Sequence, residues 1–153
     1  MLTAVNEFML EAFLEAKRSL LLNEVPVGAV IVYNGKIISR GHNLKETLKD
    51  VTAHAEIIAI RKASEVLGNW RLTKCDMYVT LEPCLMCAGA ILQSRINNLY
   101  IGTFDSDAGA CGSVINAIQD EHFNHYIHIN WLYSDECSDI ISKFFKTKRY
   151  KKS

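Results

Sequence analysis

At 153 residues, 49% apolar and 22% charged, the chain has the make-up of one soluble globular domain able to bury a core without disulfide staples. No apolar run reaches membrane-spanning length, and the N-terminus lacks the basic start and long apolar stretch of a secretory signal, so the expected compartment is the cytoplasm. Net charge is zero but unevenly spread: six of the 17 basic residues lie from Lys143 onward with no acid among them, leaving 11 basic against 17 acidic residues before it. A basic end on an acidic body suits either a polyanionic partner or a merely solvated tail.

In chain order, Phe8, Met9, Ala12, Phe13, Ala16 and Leu20 recur at helical spacing and mark the buried face of a first helix, broken at Glu24-Val25-Pro26. Val27 to Tyr33 reads as a buried strand. Asn34-Gly35 is a two-residue hairpin signal, and Lys36 to Arg40 returns antiparallel. Thr52 is the expected N-cap of a helix from Ala53 to Leu67, stopped by Gly68. Met77 to Thr80 forms a short strand. Pro83 opens a second core helix running to Ser94, where its missing N–H costs nothing. Leu99 to Ile101 and Ile127 to Leu132 complete about five strands, and Glu136 to Phe145 forms a last helix. Strands interleaved with helices predict a layered α/β sheet, and residues 1–153 form a single domain with no linker or repeat.

Five cysteines, an odd number without an export signal, argue against a disulfide framework. Two of them sit in Glu82-Pro83-Cys84-Leu85-Met86-Cys87, and a second segment reads Thr52-Ala53-His54-Ala55-Glu56. Each segment alone is weak; together they describe a metal centre. Cys84 and Cys87, three apart at a helix start, present both sulfurs to one side, where the helix dipole favours thiolates. His54 in the first turn of another helix adds a neutral imidazole. Three ligands leave a fourth tetrahedral position open, as catalytic zinc sites do and structural ones do not. Glu56, two residues from His54, points elsewhere on its helix and is placed as proton carrier rather than ligand.

The H-x-E and P-C-x-x-C pattern is the signature of zinc deaminases. Over nearly the whole chain the sequence resembles the bacterial tRNA-specific adenosine deaminases. The resemblance runs through Glu24 to Ala29, Thr52 to Glu56, Trp70-Arg71-Leu72, Tyr78 to Gly89, Asp105 and Gly109, Phe123-Asn124-His125, Asp135-Glu136-Cys137 and Phe144-Phe145. It implies a three-layer α/β/α cytidine-deaminase-like fold with a central mixed sheet, one Zn2+ per subunit and a homodimer. It implies deamination of adenosine to inosine at the wobble position of a tRNA anticodon, with the anticodon arm of an arginine tRNA bearing ACG as the expected partner. It places substrate contacts at Asn43, Ala55, Asp105, Phe145, Lys146 and Arg149, with Asn43 hydrogen-bonding the flipped base. Asp107 departs from the Lys common in that family. Two other readings share the motif: a deaminase of free guanine, cytosine or cytidine, and a zinc subunit that binds without catalysis.

Overall fold

The computed structural model describes residues 4–151, with side chains from 6 to 149. Helix α1 (Ala4–Leu21) buries Met9, Ala12 and Ala16, as its spacing requires. Strands β1 (Gly28–Tyr33) and β2 (Lys36–His42) form a hairpin whose turn places Asn34 and Gly35 at φ 51° and 75°, the left-handed conformation expected of that pair. β2 runs two residues beyond Arg40, because Gly41 and His42 still pair with Ala29 and Gly28. A short helix, α2 (Lys45–Leu48), leads to α3 (Ala55–Leu67), which Gly68 ends in the left-handed region. Then follow β3 (Cys75–Leu81), α4 (Leu85–Gln93), β4 (Asn98–Thr103), β5 (His128–Trp131) and α5 (Asp135–Lys151).

The five strands lie in the order β2-β1-β3-β4-β5. β1 is antiparallel to both neighbours, while β3, β4 and β5 run parallel, so the sheet is mixed as expected. Alternation along each strand divides the core between two faces. Ala29, Ile31, Met77, Val79, Leu99 and Ile101 pack beneath α3 and α4. Val30, Val32 and Tyr78 face α1 and, through Cys137, α5. The result is the three-layer α/β/α arrangement.

Two helix starts differ from the sequence expectation. Thr52 does not cap α3. Its N–H and hydroxyl both donate to Asp50 Oδ1, at 2.8 and 2.7 Å, in a local turn, and His54 becomes the N-cap. Pro83 likewise precedes its helix, with Cys84 at the N-cap. Gly41 then fixes where α3 sits: a Cβ there would strike the Ala55 carbonyl oxygen and lie 2.9 Å from Ala59 N. The first turn of α3 therefore rests directly on β2.

Candidate active site

Both N-caps carry ligands. His54 sits at φ −82°, ψ 155°, and Cys84 at φ −73°, ψ 177°, the extended conformation usual at an N-cap, and neither side chain makes a capping hydrogen bond. Cys87 follows in the first turn of α4. His54 Nδ1 lies 3.7 Å from Cys84 Sγ and 3.5 Å from Cys87 Sγ, and the three ligand atoms fall within 4.8 Å of one another. A tetrahedral zinc with ordinary bond lengths separates nitrogen from sulfur by roughly 3.5–3.6 Å. The donor set and the spacing therefore fit one zinc ion. Among the described residues, this is the group of His, Cys, Asp or Glu side chains close enough to share an ion.

The charges are arranged for the same purpose. A hydrogen bond from Cys87 draws the Cys84 thiol down to about 4, with His54 adding to it against the effect of burial. That bond, with burial, pushes Cys87 up, so the pair shares one proton that a metal must displace. The bond to Cys84 raises His54 despite desolvation. Glu56 is the second residue of α3, only 4% exposed, and burial raises its carboxyl to about 7. A carboxyl poised near neutrality can both take and return a proton.

His54, Glu56 and Cys84 form one wall of a cavity of about 220 Å³. The cavity brings in three of the residues that the family resemblance marked: Asn43, Ala55 and Asp105. Asn43 is nearly buried. Its Nδ2 donates to Val25 O at 3.1 Å and its Oδ1 accepts Lys45 N–H at 3.1 Å, leaving one amide hydrogen and one lone pair uncommitted by these two bonds. Ala55, fully buried, opens α3 beside them. Asp105 orders its own loop, its Oδ1 accepting the N–H groups of Asp107 and Ala108 at 2.9 and 3.2 Å.

Phe145 lies one step away. It lines a groove of about 460 Å³ that shares Val25, Leu81, Asp105 and Ala108 with the cavity. Phe144 beside it is buried, so the aromatic pair divides between packing and surface. Lys146 and Arg149 are exposed on α5 and line neither the cavity nor the groove. Trp70 is 54% exposed with the Arg71 guanidinium 4.3 Å above its ring, and Leu72 takes the buried place.

Three contributors went unread in the sequence. Lys45 lines the cavity, and its charge opposes protonation of His54. Glu24 is buried and accepts the N–H groups of Glu46 and Thr47 at 3.0 and 2.7 Å, anchoring α2. Glu82, also buried, reaches across to the loop after β4. The partners of Glu24 and Glu82 lie 22 to 31 residues away, beyond any local pattern, although Glu82 stands inside the Pro-Cys motif itself. The remaining thiols are structural: burial raises Cys75 to about 11 and pushes Cys111 and Cys137 up as well.

Residues 2–103 match the cytidine and deoxycytidylate deaminase zinc-binding region. A tRNA-specific adenosine deaminase of Bacillus subtilis (strain 168) is 46% identical over 146 residues, covering 95% of this chain and 91% of the relative. A solved tRNA:A34 deaminase, from work on A-to-I editing at the wobble position of transfer RNA, superposes with a TM-score of 0.84 at 44% identity, covering 88% of this chain and 98% of that one. A solved guanine deaminase from Bacillus subtilis gives 0.63 at 41% identity, covering 66% of this chain and 65% of that one. With one zinc-binding profile spanning most of its length and a near full-length relative at this identity, the chain belongs to the cytidine and deoxycytidylate deaminase zinc-binding family, among the tRNA-specific adenosine deaminases.

Proposed function

We propose that the protein hydrolytically deaminates adenosine to inosine at the wobble position of tRNA anticodons. The observation that carries this reading is the shared cavity, where the His54, Cys84 and Cys87 cluster and the Glu56 carboxyl meet Asn43. A zinc ion held by those three ligands supplies Lewis acidity and a water activated near neutral pH. Glu56 moves the protons: it takes one from water as the oxygen adds to the amine-bearing carbon and passes it to the ring nitrogen, then carries the added hydroxyl's proton to the amino group, which leaves as ammonia as the C–N bond breaks and the C=O forms. Asn43 orients the base with its uncommitted donor and acceptor. The N-termini of α3 and α4 converge on the cluster and favour negative charge as it develops.

A base must leave its stack to enter so small a cavity, which a looped-out anticodon nucleotide does cheaply. The groove beside it offers Phe145 for stacking, and α5 continues into basic side chains including Lys146 and Arg149. This reading has the anticodon arm of an arginine tRNA with an ACG anticodon as substrate. It has a homodimer at work in the cytoplasm with no membrane contact. Among the described residues, no helix is long and apolar enough to cross a membrane.

The test is to treat an arginine tRNA transcript bearing ACG with zinc-loaded protein and sequence it for inosine. Inosine at the wobble position alone is expected, and a transcript with G in that position should remain unchanged. Likeness to a guanine deaminase makes a free-base enzyme the competing reading. Ammonia release from guanine or cytosine with no inosine in the tRNA would favour it.

A further inference from the structure

Glu82 occupies an unusual place. It lies two residues before the ligand Cys84, is 2% exposed, and stands in the wall of the substrate cavity. A carboxylate at such a position invites a catalytic role, yet its bonding leaves no room for one. Oε1 accepts the Asp105 N–H at 3.0 Å and the Ser113 hydroxyl in a short bond. Oε2 accepts the N–H groups of Cys111 and Ser113 at 3.0 and 3.1 Å. A carboxylate has about four lone-pair sites, and all are taken.

All four bonds lead to one loop, the segment 104–113 after β4. The backbone on either side reinforces them: Glu82 N–H donates to Thr103 O and Pro83 O accepts the Ala110 N–H, both at 2.9 Å. Gly109 packs so closely that a Cβ there would strike the Glu82 carboxyl. The same loop carries Asp105 and Ala108, which line the cavity. We infer that Glu82 is a positioning residue, whose carboxylate locks the 104–113 wall of the substrate cavity to the metal-bearing turn and so sets the fit of the bound nucleotide. The effect on substrate rests on the deaminase reading above; the locking itself does not.

Glu82→Gln tests both parts, since an amide keeps the shape but turns donors toward N–H groups that need acceptors. Zinc content should stay at one per chain. Amide hydrogen exchange at Asp105, Cys111 and Ser113 should quicken by about tenfold or more. With the tRNA transcript, KM should rise by about tenfold while kcat stays within about threefold, because ligands and Glu56 remain in place. Unchanged exchange and unchanged KM overturn the inference, and so does loss of zinc in proportion to activity. Should Glu82→Gln not fold, Ser113→Ala removes one of the four donors. It should raise KM about threefold and quicken exchange at Asp105; no change in either is a refutation. If wild-type protein makes no inosine, the deaminase reading fails while the exchange measurement still decides the locking.

Discussion

At the scale of single residues, the chemistry concentrates where few atoms do distinct jobs. His54, Cys84 and Cys87 converge within 4.8 Å, while Glu56, buried and raised to about 7, is the group we propose as proton carrier. Glu56→Ala should therefore keep zinc and fold but lose deamination by about 10²–10⁴-fold, as removal of a general acid–base does. Metal analysis beside a single-turnover assay checks it, and a fully active variant would sink the mechanism. His54, Glu56, Cys84 and Cys87 were legible because their spacing is itself chemical: one ligand per helix start, a second one turn later, a carboxylate off to the side. Glu82 and Glu24 were illegible for the opposite reason. Each acts through donors distant in sequence, backbone N–H groups for Glu24 and backbone N–H groups with the Ser113 hydroxyl for Glu82, which no spacing announces.

At the scale of elements, helical spacing located α1, cap and breaker residues located α3 and α4, and apolar runs located the five strands; the last helix, expected from Glu136 to Phe145, runs on to Lys151, and nothing in the sequence announced α2. Lys45–Leu48 is four residues long, too short to show a face, and it is held from outside by Glu24. That contact makes α2 sensitive to acid. Burial acts to raise the Glu24 carboxyl, yet the N–H donors of Thr47 and Glu46 outweigh it and leave the group below its ordinary 4.5. The native state thus binds this proton less readily than the unfolded chain. The stability it confers is present above about 4.5 and lost as pH falls through the lowered value. Glu24→Gln should be less stable at pH 7 by about 1–3 kcal/mol, the cost of a mismatched buried acceptor. The gap should narrow as pH falls below about 4.5 and through the lowered value, which thermal melts over acid pH can follow. A gap independent of pH would show that the carboxylate charge is not what holds α2.

At the scale of the whole molecule, the lopsided charge read from the sequence acquires a place: α5, beside the groove that adjoins the cavity. Truncation after Phe145 removes Lys146, Lys148, Arg149, Lys151 and Lys152. Affinity for tRNA should fall, and the slope of log affinity against log salt should flatten by roughly 0.7 for each phosphate that is no longer neutralised. Filter binding from 50 to ~200 mM salt measures both. An unchanged slope would mark the tail as solvated only.

The imidazole reaches the cluster from the end of one helix and the thiols from another, with all of β3 between them in the chain. An unfolded chain keeps only the neighbouring sulfurs, so it competes poorly for the ion. Mass action then turns metal supply into a folding force, about 2.7 kcal/mol when free ion stands a hundredfold above its dissociation constant. Scarcity of zinc would therefore shorten the lifetime of the polypeptide as well as silence it.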